Sequence, residues 1–507
     1  MKRIGIGALL LLIACMVFAT GTTETATSTE DATTRFSYYY MADQQPMEDE
    51  VFAAVNAELA SKYGIAVDFH RLDGSAYNDR MNVLLAAQEP IDLFFIANWS
   101  LNYNQKLAQG ALMPLDDLIA EHAPKLLPSL PSFLMDVTLY EGDHYAVPNY
   151  QTIVNQRAFL VQQSLADQYG LDVEALKGLP LKEMLAEFEP FLAEIKAHEP
   201  ELFAVAPEWT WEAYFEEIGG ARILVEEAPA VVLEDGELLE YKSGLEETYR
   251  EWYRRGYIRR DVATASGDEK NRDKENLRYA LWAAPYKLGA EAEAAAKYGT
   301  EIAMMPFNKP FVGAQAGIAT MYAVSTFAQE PEAAIKFVEV MNTDADLYNM
   351  MCFGIEGETY EMVGPNRIDF ITNADGEKLY HPKRDWMFGN QFNAYLIPGM
   401  PDGIWEATDE LNRSAQASPA RGFNVNLEPV RDIQARVRAA DQEYWGTEFL
   451  YIDDDEKYRE LQQERLDKTI RAGALEVREE IQRQLIEWAQ ANGKPYRERV
   501  INLDPND

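Results

Sequence analysis

The stretch Pro90-Ile91-Asp92-Leu93-Phe94-Phe95-Ile96-Ala97-Asn98-Trp99 decides how the rest of the chain is read. Leu93 to Ile96 is large and apolar with no polar residue between, as a strand reads when it is buried on both faces of a helix-covered parallel sheet. The spacing predicts a helix before it, over Ala76–Gln88, and another after it, over Leu101–Gln109, so it belongs to a β-α-β-α series. In open α/β sheets, ligands bind outside the carboxyl ends of the strands. This strand ends in Asn98 and Trp99, an amide and a broad flat apolar ring, where a ligand is expected to lie.

Outward from it, Arg35–Met41 and Ile65–His70 read as strands of the same sheet. The helix between them runs from about Met47 to Tyr63, carries Val51, Val55 and Leu59 on one face, and meets a C-cap glycine at Gly64. Glu141–Tyr150 has a Gly-Asp turn and an extended piece ending at Pro148, and reads as a crossing out of this lobe. Ala158–Val161 is a strand of a second lobe, and Leu181–His198 a helix interrupted at Pro190. Pro306 and Pro310 mark a second crossing, Ala319–Ser325 is a strand, and Pro331 opens a helix at its first position. Glu358–Val363 and Arg367–Thr372 form a hairpin candidate. From Pro429 on the chain reads as helical, with Val477, Ile481, Leu485 and Trp488 on one face. A chain that crosses between lobes more than once makes a hinged pair with a cleft. The expected division is an export signal over 1–19, a flexible tether over 20–34, a first lobe over 35–148, a second over 149–305, and a return to the first over 306–360. A helical C-terminal region over 361–507 is expected to pack on the second lobe and the hinge.

At 507 residues, with 47% hydrophobic and 26% charged side chains, the chain is a folded protein of more than one lobe. Lys2 and Arg3 precede an apolar run from Ile4 to Phe18, too short for a stable spanning helix, and a Thr-rich polar stretch follows. This is an export signal and a tether. Cleavage after Ala19 is favoured; the alternative, a lipobox ending at Cys15, would leave a lipid there, although Met16, Val17 and Phe18 keep the chain apolar beyond it. The location is therefore periplasmic or tethered at the outer face of the cytoplasmic membrane. The formal charge is −38, and losing Lys2 and Arg3 with the signal makes it −40. Such a field repels polyanions and argues against a nucleic-acid partner. With Cys15 and Cys352 the only cysteines, the mature chain has no internal disulfide, and Cys352 reads as a small buried hydrophobe.

Motifs for catalysis, metals and cofactors are lacking. There is no H-E-x-x-H, G-x-S-x-G or P-loop, and the five histidines lie far apart. Asp453 to Asp455 suits a helix N-cap better than a calcium loop, because Tyr458 stands where such a loop needs glycine. Eighty-four acidic residues make any carboxylate pair uninformative. What stands out is aromatic rings beside amides and carboxylates. A neutral sugar packs its C–H faces on flat rings and offers its hydroxyls to in-plane donors and acceptors. The candidate ligand-binding set is Asn98 and Trp99, with Tyr40 and Asp43 after the first strand, Tyr150 at the crossing, Trp209, Trp211 and Tyr214 after Pro207, Tyr286, Trp386 and Asn390. No catalytic residue, metal ligand or cofactor is assigned.

Several of these stretches resemble a known family. Asp92-Leu93 entering a strand that ends in Trp99, GALMPLDD at 110–117, HYAVP at 144–148, YGTEIAMMP at 298–306 and PEAAIKF at 331–337 look like the extracellular solute-binding proteins of carbohydrate ABC importers. GIEGETY at 354–360, FGNQF at 388–392, SPARGFN at 418–424 and the helix from Glu480 to Trp488 look like the subgroup with the DUF3502 C-terminal domain. The resemblance implies an α/β, two-lobed periplasmic-binding-protein fold (type II-like) with an interlobe hinge. It also implies a non-catalytic receptor that closes on a sugar or oligosaccharide and docks on a membrane permease. A monomer is expected. A secreted carbohydrate-active enzyme, or a receptor for a peptide or lipid-derived solute, is the alternative.

Overall fold

The computed structural model of the protein describes residues 33–140, 142–207, 215–225, 230, 232, 235–442 and 451–497. The export signal with Cys15, and Trp209, Trp211 and Tyr214, lie outside the described residues.

Two sheets carry the two lobes. The first has the order Ile65–Leu72, Thr34–Met41, Leu93–Ile96, Met321–Val324, Val147–Pro148. Its first three strands are parallel, and Met321–Val324 runs antiparallel to both neighbours. All four residues of Leu93–Ile96 are buried, because the strand sits at the centre of the sheet, between Thr34–Met41 and the return strand. Phe36, Tyr38 and Tyr40 alternate along Thr34–Met41 and bury one face. The helix Pro331–Thr343 covers that face, setting Phe337 against Phe36, Tyr38 and Tyr322.

Asp92, one residue before the central strand, ties three segments together. One carboxylate oxygen accepts from the N–H and hydroxyl of Ser37 at 2.8 and 3.0 Å. The other accepts from the N–H groups of Gln329 and Glu330 at 2.7 and 2.8 Å, just ahead of the helix Pro331–Thr343.

The second sheet has the order Ile302–Pro306, Arg157–Gln162, Tyr279–Pro285, Phe203–Val205. Its core holds Phe159, Val161, Phe188 and Trp252. The interrupted helix resolves into Leu181–Glu187 and Glu189–His198, with Pro190 in the first turn of the latter, where its missing N–H costs nothing.

Three passes of chain join the lobes, not two. Val154–Asn155 pairs with Phe311–Val312, which pairs with Gln416–Ala417. The third pass follows the helix Ile404–Ser414, which the sequence reading did not anticipate.

The stretch from 361 also departs from expectation. The hairpin Tyr360–Gly364 and Arg367–Phe370 and the loops after it bury Tyr360, Ile368, Tyr380, Met387, Phe388 and Ala394 in the first-lobe core. Its apolar residues are spaced through turns and short strands, so no helical period announced their burial. Only beyond it do the helices Arg431–Gln442, Asp455–Ala472 and Ala474–Ala491 begin. Val477, Ile481 and Leu485 pack on Ile218, Ile223, Phe423 and Val425 in a third core. Asp455–Ala472 lies on the second lobe, where the Tyr458 hydroxyl donates to Glu246 at 2.6 Å and the Arg250 guanidinium lies 3.8 Å over the Tyr458 ring. No helix among the described residues is long and apolar enough to cross a membrane.

Candidate functional site

The register places several chain ends at one edge of the first sheet. Met321 pairs with Ile96 on one side and Pro148 on the other. The carboxyl ends of Thr34–Met41, Leu93–Ile96 and Val147–Pro148 and the amino end of Met321–Val324 therefore meet where the chain leaves for the second lobe. That edge carries the candidate site.

Asn98 and Trp99 follow the central strand, and Leu101 and Asn102 turn the chain away sharply with φ of +60° and +55°. The Asn98 N–H donates to Ile318 O at 2.9 Å and its side chain is exposed. The Trp99 indole N–H donates to Ala319 O at 2.7 Å, which fixes the ring while leaving it 55% exposed. It is the only exposed tryptophan among the described residues. Trp386, half-buried in the turn Asp385–Met387, lies 6.2 Å from the Trp99 ring at 51°, and both rings contact Phe95. The Trp386 N–H donates to Lys383 O at 3.2 Å. Arg384, which sequence reasoning passed over, donates to Met41 O at 3.1 Å and sets its guanidinium 5.8 Å from the centre of the Trp386 ring. Its signal was available: a basic pair, Lys383 and Arg384, beside a tryptophan in a strongly acidic chain. Asp43 is exposed just past the first strand.

The remaining candidates divide. Tyr40 is 2% exposed, with its ring 5.0 Å from Tyr38 and edge-on to Phe388 at 5.5 Å. It is a core residue because it shares the buried face of its strand with Phe36 and Tyr38, so its expected contact with a solute is corrected here. Tyr150 is 4% exposed, and its hydroxyl donates to Asp409 on the helix Ile404–Ser414. Burial, then the Asp409 carboxylate, pushes that hydroxyl's pKa up. The same helix holds the neighbouring chain through Asn412, which accepts from Ile153 N at 3.0 Å and donates to Gln151 O at 2.8 Å. Tyr150 therefore holds the hinge in place of lining an open cleft.

Asn390 bridges Tyr150 along the backbone, and its side-chain oxygen is used in accepting from Phe392 N at 3.1 Å. Gly389 beside it has φ +108°, and a Cβ there would lie 2.6 Å from Met341 O, so the backbone passes closer than any side chain permits. Tyr286 lies at the hinge-side end of Tyr279–Pro285, its N–H on Gln156 O at 2.8 Å and its hydroxyl on Glu291 at 3.4 Å. Burial, then Glu291, pushes that hydroxyl up to about 12. The structure thus brings together Trp99, Asn98 and Trp386, with Asp43 at the same edge. It places Tyr150 and Asn390 beneath them in the hinge and Tyr286 on the other lobe. Among the described residues no group of three or more His, Cys, Asp and Glu side chains could hold a metal ion.

Two α/β lobes joined by three passes, with the exposed Trp99 ring and the half-buried Trp386 ring at the edge facing the hinge, define a two-lobed solute-binding protein. The chain belongs to the bacterial extracellular solute-binding protein family, whose pattern matches residues 42–347. It is 25% identical over 470 residues to a carbohydrate ABC transporter substrate-binding protein of Streptococcus pneumoniae serotype 4, covering 89% of this chain and 90% of that one. The fold matches the crystal structure of the N-glycan transport solute binding protein of Streptococcus pneumoniae with a TM-score of 0.77 at 22% identity, over 90% of this chain and 100% of that one. The same protein in complex with Man1GlcNAc gives 0.71 at 21% identity, over 90% and 99%. A solute binding protein from Bifidobacterium longum infantis, described as HMO binding, gives 0.60 at 13% identity, over 92% and 100%.

Proposed function

We propose that this protein is the exported receptor of an ABC importer, capturing a sugar or oligosaccharide between its lobes and delivering it to a membrane permease. The observation that carries the reading is Trp99: an indole whose N–H is already satisfied by Ala319 yet whose ring stays largely in water, at the sheet edge facing the hinge. Exposing that much apolar ring is unfavourable unless something covers it. A sugar's C–H face suits it, and Asn98 and Asp43 supply the polar groups its hydroxyls need. The 25% identical relative is named for carbohydrate transport, which supports the same reading. In it the two lobes exchange between open and closed forms and the solute shifts the balance by binding the closed one more tightly. The chain acts as a monomer in the periplasm, or tethered through Cys15, in the subgroup with the DUF3502 C-terminal domain, and no catalytic step is assigned to it.

Native mass spectrometry of the protein purified from its own host, followed by calorimetry with the retained solute, tests this. The expected result is an added mass equal to a mono- or oligosaccharide released intact. A retained peptide or lipid, or an oligosaccharide returned cleaved, would overturn it.

A further inference from the structure

We propose that the solute carries a negative charge, and that Arg384 is the residue that selects for it. The inference deepens the receptor reading above and rests on it.

Arginines in this acidic chain are commonly neutralised by carboxylates: Arg71 by Glu48 and Asp73, Arg259 by Asp261 and Asp273, Arg367 by Asp402, Arg483 by Glu480 and Glu487. Arg384 makes no ion pair within 4.0 Å among the described residues. It is held by main-chain carbonyls instead: Nε donates to Met41 O at 3.1 Å and Nη1 to Lys383 O at 3.2 Å. One N–H of Nη1 and both of Nη2 remain. That outer fork is what a carboxylate engages through two parallel hydrogen bonds. Because the carbonyls and the Trp386 ring already fix the guanidinium, little side-chain entropy is left to lose on binding.

The surroundings reinforce the charge. Lys383, exposed and held at φ +55°, precedes Arg384, and Lys378 lies in the same loop. Burial is the main cause that pushes His381 down to about 3, and the charges of Lys378 and Lys383 add to it, so two cations bear on this loop although the chain as a whole is at −38. The acidic groups on this edge are Asp43, which is exposed, Glu48 and Asp73, which pair with Arg71, and Asp385, whose carboxylate accepts from Gln391 at 2.5 Å. None is paired with Arg384. A chain of this net charge repels an anion at a distance, so a fixed, unpaired guanidinium beside the aromatic surface is what an acidic sugar would require. Trp386 touches both Arg384 and Trp99, so a sugar ring lying on Trp99 can direct an acidic substituent to the guanidinium.

The test uses the mature chain and a panel of oligosaccharides in matched pairs, each pair differing only in a terminal hexuronate in place of the hexose. Calorimetry is expected to show the acidic member of the bound pair preferred by about tenfold or more, on the scale of a charge-assisted contact. Arg384→Gln should abolish that preference while leaving the neutral member within about threefold. Lys383→Gln, in which an exposed side chain is changed, should weaken the acidic member a few-fold and keeps the test open if the Arg384 variant fails to fold. Equal or better binding of the neutral member by the unaltered chain would overturn the inference and leave the receptor reading standing. Binding of no oligosaccharide of either charge would remove both.

Discussion

The Trp99 indole N–H donates to Ala319 O at 2.7 Å, joining residues 220 positions apart. Ala319 precedes the strand Met321–Val324, on the pass of chain that returns from the second lobe. The ring proposed to receive the solute is thus oriented by the hinge itself, and a change in the hinge segment can move it.

Trp99→Ala should lower solute affinity by about 1–3 kcal/mol, the scale of losing an aromatic anchor. The melting temperature should change little, since the ring is mostly in water. Trp99→Phe keeps an apolar ring but loses the bond to Ala319, and should fall between the two. Calorimetry with the retained solute reads both; unchanged affinity in the alanine variant would remove Trp99 from the site.

Tyr40 makes the opposite prediction. Its ring is enclosed by Tyr38 and Phe388, so Tyr40→Ala should cost about 3–5 kcal/mol of stability, as truncating a buried aromatic does. Tyr40→Phe should bind solute as the unaltered chain does. Urea unfolding paired with calorimetry separates the two effects, and a selective loss of affinity in the phenylalanine variant would return Tyr40 to the site.

The first lobe was legible because its signals are local. The unbroken apolar run at Leu93–Ile96, the glycine after Tyr63 and the proline at 331 each state an element within a few residues. The side of the sheet on which Trp99 emerges followed from strand direction alone. Tyr40 and Tyr150 were misplaced because exposure is a tertiary property: one ring is enclosed by Tyr38 and by Phe388, far along the chain, the other engaged by Asp409. The third pass through the hinge was invisible because Gln416–Ala417 is a two-residue strand with no alternation to detect. Arg384 was missed for a different reason: the basic pair beside Trp386 was there to be read, but the absence of a carboxylate partner, which gives that pair its weight, shows only in the fold.

Asp92 offers a stability test away from the site. Its two oxygens satisfy three backbone N–H groups and one hydroxyl from Ser37, Gln329 and Glu330. Asp92→Ala should cost about 3 kcal/mol or more, because those donors stay partly buried without acceptors. Asp92→Asn should be nearly as harmful, since its amide would turn N–H groups toward N–H donors. Chemical denaturation measures both, and a loss below about 1 kcal/mol would show that water replaces the carboxylate.

Glu216, on the hairpin Phe215–Ile218 and Ala221–Leu224, links two of the hinge passes: its carboxylate accepts from Ala314 N at 2.8 Å and from the Ser418 hydroxyl. Burial raises its pKa above the ordinary carboxylate value, and the two donors offset this only in part. A carboxyl with a raised folded-state pKa binds more protons folded than unfolded, so its contribution to stability falls as pH rises. The penalty is complete above the folded-state pKa and gone below the unfolded one. The substitution Glu216→Gln removes that penalty, because the amide oxygen can still accept from Ala314 and the amide N–H can donate to Ser418. The variant should therefore be as stable as the unaltered protein or more so at about pH 7–8, with the difference shrinking toward about pH 4. Thermal melts of both proteins across that range give the answer, and a difference that widens on acidification would mean that the donors, and not burial, set the charge at this point of the hinge.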